Sequence, residues 1–155
     1  MGDLISPFFL LYVDTIQFNY YLYKKIDMDR NEMDKFLVYI GGLENGYFTD
    51  REPIVDSGFF DVNEGWFSII KSLIEDLVNL GWDKQVCQVK EKFGGLRFYI
   101  NSGSDEIHQR ILQAEKESYE TCEKCGKPGE LRKDIGWYFT LCDEHYNLKK
   151  NKNEI

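Results

Sequence analysis

Two pairs of metal-binding residues near the C-terminal end constrain this chain more than any other feature. Cys122-x2-Cys125 is followed, after sixteen residues, by Cys142-x2-His145. A tetrahedral zinc ion takes four soft or borderline donors, and two close pairs presented by tight turns supply them at small entropic cost. Gly126, directly after the second cysteine, fits a knuckle whose backbone amides point at the thiolates. Between the pairs, Leu131 to Thr140 has strand character around Gly136. The expected order is a knuckle, a hairpin, and a second ligand pair opening a short terminal helix, the outline of a treble-clef or zinc-ribbon module. Four protein ligands close the coordination sphere, so the zinc is expected to be structural, with no place for a catalytic water. Nuclease chemistry on such a module needs further histidines near the metal, and the only other one is His108.

The rest of the chain reads as α+β. Residues 8–25 and about 29–40 have helical character, the second stretch stopping at Gly41-Gly42. Residues 43–63 read as an irregular acidic loop containing Asp50, Glu52, Asp56 and Asp61. Trp66-Phe67 leads into Ile69, Ile70, Leu73, Ile74, Leu77, Val78 and Leu80, an apolar stripe at helical spacing that ends at Gly81. Gln85 to Asn101 then switches to strand formers, and Ser104 caps a further helix that turns Ile107, Ile111, Leu112 and Ala114 inward and runs to about Tyr119. Three segments follow: 1–63, helical and irregular; 64–120, a helix–hairpin–helix core; 121–155, the zinc module and a frayed Lys-rich tail. Hydrophobic residues at 43% support a real core, and the longest early apolar run, Phe8 to Val13, is too short to span a bilayer. No basic leader opens the chain, so reduced cysteines and a cytoplasmic setting are expected.

Charge patterning supplies a candidate ligand surface. The net charge of −8 argues against bulk phosphate-backbone binding, yet residues 84–100 hold four basic side chains against one acid. With Gly94-Gly95 as a two-residue turn, Phe93 faces Leu96, Lys92 faces Arg97 and Lys90 faces Tyr99. Val89, Phe93, Leu96, Phe98 and Ile100 then form a core face that also receives Glu91. The other face collects Gln88, Lys90, Lys92, Arg97 and Tyr99. Like charges opposite one another cost stability, so this face suits an anion or an acidic partner, with Tyr99 as a stacking surface. Two alternatives stay open: a solvated lysine-rich edge strand, and one long strand with a glycine bulge.

Other signals carry less. Asp27-x-Asp29-x-Asn31 begins like a calcium loop, but Glu32 stands where glycine is required and Val38 where a bidentate Glu belongs. The acidic loop shows no telling carboxylate spacing for divalent-ion catalysis. Cys87 reads as an inert buried thiol on a core strand. No nucleophilic triad, phosphate loop or dinucleotide fingerprint is present.

Gly65-Trp66-Phe67, the string Gln88-Val89-Lys90-Glu91-Lys92-Phe93-Gly94-Gly95-Leu96-Arg97-Phe98-Tyr99, Cys122-Glu123-Lys124-Cys125-Gly126 and Leu141-Cys142-Asp143-Glu144-His145 together resemble a family of small uncharacterised proteins of bacteriophages and prophages. The resemblance covers about residues 64–146; residues 1–60 do not show the cysteine-containing segment that leads into the tryptophan helix in that family. It implies a phage context and a zinc-binding C-terminal module, and no reaction. The resulting expectation is a non-enzymatic phage-derived protein that acts on a host protein or sequesters an anionic, nucleotide-like ligand through Lys90, Lys92, Arg97 and Tyr99. A nucleic-acid-binding regulator using the same basic face and the zinc module is the alternative, and an enzyme built on the acidic loop the third.

Overall fold

The computed structural model describes residues 28–40 and 54–153. The expectations for residues 8–25, for the Gly41-Gly42 stop and for residues 43–53 lie outside these. In chain order come α1 (Arg30–Ile40), β1 (Phe60–Asp61), a 3-10 turn (Glu64–Trp66), α2 (Phe67–Asn79), β2 (Val86–Lys92), β3 (Gly95–Ile100), α3 (Asp105–Ser118), β4 (Glu130–Arg132), β5 (Phe139–Leu141) and α4 (Asp143–Asn153). The fold is α+β. No helix among the described residues is long and apolar enough to cross a membrane.

α2 forms where the apolar stripe predicts it. Phe67, Ile70, Leu73, Ile74 and Leu77 are all buried, each contributing roughly 1.5–3 kcal/mol by leaving water, whereas Ile69 and Val78 are only half-buried and Leu80, past the last turn, is exposed. Its end is closed by paired hydrogen bonds, Gly81 amide to Val78 carbonyl at 3.0 Å and Trp82 amide to Leu77 carbonyl at 2.9 Å, the Schellman pattern. That turn sends Trp82 back into the core, edge-on to Phe98 at 5.8 Å. α3 starts as expected, with the Ser104 hydroxyl accepting from the Ile107 amide. Ile107, Ile111 and Ala114 face the core, but Leu112 is 48% exposed and does not. α1 adds Met33 and Leu37 to the same core. Its Asp34 carboxylate accepts from the amides of Ile54 and Val55, both at 2.9 Å, and Lys84 donates to the terminal Ile40 carbonyl.

β2 and β3 form a hairpin, not one bulged strand, in the register Lys92↔Gly95, Glu91↔Leu96, Lys90↔Arg97, Val89↔Phe98 and Gln88↔Tyr99. The turn is therefore Phe93-Gly94, one residue earlier than Gly94-Gly95. Both turn residues have left-handed backbones, φ 55° and 78°, as a type I′ turn requires. Sliding the turn by one residue changes every cross-strand pair but keeps the faces, because both strands shift together. Val86, Val89, Leu96 and Phe98 are buried, whereas Phe93, expected inside, is 51% exposed. Glu91 stays on the inner face, and its carboxylate accepts the Gly94 amide at 2.5 Å. A bulge falls between Val86 and Gln88 and leaves Cys87 exposed, contrary to the buried thiol expected. β1 adds to β2 in parallel, making a three-stranded mixed sheet.

The C-terminal elements lock onto this core through backbone contacts. The Gly65 amide donates to the Glu123 carbonyl at 3.0 Å, and the Trp66 indole donates to the Thr121 carbonyl at 2.9 Å. At the other end of the module the buried Thr140 hydroxyl donates to the Gly94 carbonyl at 2.6 Å. The tail, expected to fray, is helical to Asn153.

A Cβ at Gly65 would collide with the Cys122 carbonyl oxygen and lie 2.6 Å from the Glu123 carbonyl carbon. Both are backbone atoms that cannot rotate away, so Gly65→Ala is expected to cost more than about 2 kcal/mol in denaturant unfolding. Gly136→Ala, with open space around it but φ +88°, is expected to cost about 1–2 kcal/mol. Equal losses would contradict the packing of residue 65 against the cysteine knuckle.

Candidate metal centre

Cys122, Cys125, Cys142 and His145 come together as the spacing predicts, with their donor atoms all within 4.8 Å of one another. The first pair rides on a knuckle: the Gly126 amide donates to the Cys122 carbonyl at 2.9 Å and the Cys122 amide to the Lys127 carbonyl at 2.8 Å. β4 and β5 pair antiparallel, Glu130↔Leu141 to Arg132↔Phe139, and carry the chain back so that Cys142 stands at the start of α4. One helical turn later His145 points its Nδ1 at the cysteines.

The geometry fits a four-coordinate ion. Cys125 Sγ and Cys142 Sγ are 3.8 Å apart, and Cys122 Sγ lies 3.6 Å from His145 Nδ1. Metal–sulfur bonds of about 2.3 Å and metal–nitrogen bonds of about 2.0–2.1 Å at tetrahedral angles give edges of roughly 3.8 and 3.6 Å. Cys142 Sγ to His145 Nδ1 is tighter, at 3.2 Å. Burial works against ionising the Cys142 thiol, yet hydrogen bonds from the His145 amide and ring bring it down to about 7. Burial pushes Cys125 up to about 11. Cys122 is fully buried and Cys125 and Cys142 are half-buried. Three thiolates and an imidazole at this spacing could hold one metal ion, and a four-ligand set of this kind is the one used in structural sites.

Glu123, inside the knuckle, was not singled out by the sequence. It is only 2% exposed. One of its carboxylate oxygens takes the Asn63 side-chain amide at 3.1 Å, and the other has no hydrogen-bond partner among the described residues. Burial pushes its carboxyl up to about 7, with Lys124 opposing and Glu91 adding to the rise. No motif marks it, because its burial follows from the docking of residues 63–66 across the knuckle.

The proposed ligand residues do not line the cleft found among the described residues. That cleft, about 670 Å³, lies between α2, α3 and the knuckle and includes Glu64, Ser72, Arg110, Glu117 and Lys124. Its cations are engaged: Arg110 with Asp76 at 2.7 Å and Lys124 with Asn63 at 2.8 Å. Lys90, Lys92, Arg97 and Tyr99 instead share the outer face of β2–β3, where Lys90 sits directly opposite Arg97. Arg97 is anchored by the Tyr119 hydroxyl at 3.0 Å, the Leu96 carbonyl at 2.7 Å and Glu115 at 3.9 Å. Burial opposes its charge, but Tyr119 and Glu115 more than restore it. Of the acidic-loop residues, Asp56 pairs with Arg30 at 2.5 Å, which also meets Glu64 of the 3-10 turn at 3.2 Å, a structural use; Asp50 and Glu52 lie outside the described residues. His108 is exposed on α3.

Purified protein is expected to carry one metal ion per chain, and Cys122→Ser is expected to abolish it while Cys87→Ser leaves it unchanged, as read by elemental analysis. Structural sites of this kind are worth about 10–16 kcal/mol in isolated peptides, so chelation should lower the melting temperature of the whole chain by tens of degrees. Full metal content in Cys122→Ser would contradict the ligand set. No protein-family model, curated protein or solved structure matches this chain.

Proposed function

We propose that this chain is a non-enzymatic binding protein, stabilised by a zinc ion in a treble-clef-like module, that captures an anionic partner on the outer face of β2–β3. Zinc is the ion this reading favours because three thiolates and an imidazole at tetrahedral spacing are its usual structural set. The resemblance of residues 64–146 to phage proteins supplies the setting, a phage-encoded protein acting in a bacterial cytoplasm on a host component.

The observation that carries the proposal is the placement of Lys90 opposite Arg97, with Lys92 one pair further along the same face. Directly opposed like charges are unfavourable in an antiparallel pair, and Arg97 is additionally held in place by Tyr119. A fixed guanidinium beside two more mobile ammonium groups matches a phosphate or carboxylate group. Tyr99, 39% exposed, lies under the Lys90 ammonium at 5.7 Å and offers a ring face next to the cations.

Lys90→Glu/Lys92→Glu removes the mobile cations without touching the Arg97 anchor. It is expected to weaken binding of inorganic tripolyphosphate at least tenfold in calorimetry, with the metal content and circular dichroism of the parent. Adding Arg97→Glu should weaken binding further. Unchanged affinity in the folded double variant would reject this face as the anion site.

A further inference from the structure

Phe93 is the residue whose presence the fold explains least. It holds φ 55°, a backbone that bulky side chains rarely adopt and that Asn or Gly would take in a type I′ turn. Its ring is 51% exposed, so the conformation is not compensated by burial. It is not alone: Trp137 is 56% exposed and Tyr138 41%. Phe93 and Trp137 stack with centroids 6.5 Å apart and planes within 23°, and Tyr138 meets Phe93 edge-on at 6.4 Å. The two turns that carry these rings, β2–β3 and β4–β5, are fastened together by the Thr140–Gly94 hydrogen bond. The aromatic cluster is therefore preorganised.

Cations flank it. The Lys92 ammonium lies 5.4 Å from the Phe93 centroid and that of Lys133 5.4 Å from the Tyr138 centroid. Neither lysine is ion-paired with a carboxylate among the described residues. Lys92 belongs to the basic face above, so rings and cations lie side by side from Tyr99 and Lys90, past Lys92 and Phe93, to Trp137, Tyr138 and Lys133. Along β2, from Gln88 to Lys92, that face runs roughly 13 Å at about 3.3 Å per residue, before the zinc-module turn extends it.

We infer that Phe93, Trp137 and Tyr138 form a stacking platform for unpaired bases, and that the anionic partner of this face is single-stranded nucleic acid. The inference rests on the basic face being the anion site and names its ligand. Ring faces beside free ammonium groups are how single strands are held without sequence readout, bases on aromatics and phosphates on cations. A duplex hides its base faces, and a simple phosphate has no use for the rings. A lipid surface also attracts aromatics and lysines, but there the tip should protrude; here it is tied down against the β4–β5 turn, and Tyr99 lies on the flat of the sheet.

The test uses the full, metal-loaded chain with fluorescein-labelled dT12, the same length of duplex, inorganic tripolyphosphate, and vesicles of phosphatidylcholine with 30% phosphatidylglycerol. Trp66 and Trp82 are buried, so quenching of tryptophan emission by unlabelled dT12 reports on Trp137. Trp137→Ala/Tyr138→Ala is expected to weaken dT12 at least tenfold, in line with about 1–3 kcal/mol per stacked base, and to leave tripolyphosphate binding unchanged. Phe93→Asn, which suits the turn, should weaken dT12 while keeping the fold. Stronger binding of dT12 than of duplex supports the platform. An affinity for dT12 indifferent to Trp137→Ala/Tyr138→Ala overturns it, and so does binding of vesicles with none of dT12. If tripolyphosphate still loses affinity in Lys90→Glu/Lys92→Glu, the anion site survives that failure. Aromatic-dependent dT12 binding that ignores Lys90→Glu/Lys92→Glu would instead sink the basic-face reading and keep the platform.

Discussion

The close approach of Gly65 to the Cys122–Glu123 backbone is the contact on which the rest of the molecule depends. It brings the turn that starts α2 to within hydrogen-bonding distance of the metal knuckle, amide to carbonyl at 3.0 Å. Asn63, Trp66 and Glu123 then fall into register around it. The metal module is thus not an appendage on a linker. Its first ligand pair is mortised into the entrance of the central helix, and its hairpin is fastened to the β2–β3 turn through Thr140. An ion held by the four residues would therefore also fix where α2 begins and where the sheet ends.

This arrangement has a consequence for the outer surface. A hairpin turn is ordinarily the least constrained part of a sheet, yet here it is held at Gly94 and, on the edge strand, by the Ser118 hydroxyl accepting the Leu96 amide at 2.9 Å. Rigid turns allow exposed rings to hold one arrangement. The left-handed backbone of Phe93 costs about 1–2 kcal/mol, and ring contacts with Trp137 and Tyr138 return about 0.5–1.5 kcal/mol each. The two nearly cancel, so stability alone gives no reason for phenylalanine at this position, whereas a stacking surface does.

Much of this was legible from residue types and spacing. The gathering of Cys122, Cys125, Cys142 and His145, the stripe and stop of α2, the Ser104 cap and the partition of β2–β3 into a basic and an apolar face all follow from local chemistry. The hairpin register did not, because Gly94-Gly95 and Phe93-Gly94 are both two-residue turns, and the contacts that accompany the observed one, Gly94 with Thr140 and Leu131, Gly95 with Tyr119 and Leu96 with Ser118, come from distant segments. Leu112 and Cys87 were misplaced for related reasons: one lies at the edge of the helical stripe, the other at a bulge that breaks the strand alternation. The burial of Glu123 and the aromatic cluster at Phe93, Trp137 and Tyr138 depend on segments far apart in sequence, and no local pattern encodes such meetings.

The most direct measurement is amide hydrogen exchange on the full chain with and without its metal. If the knuckle is part of one cooperative core, chelation will strip protection from Ile70–Leu77 of α2 and from Leu96 and Phe98 of β3 together with residues 121–145. Loss of protection confined to residues 121–153, with α2 and β3 unchanged, would show two independent units and contradict the account.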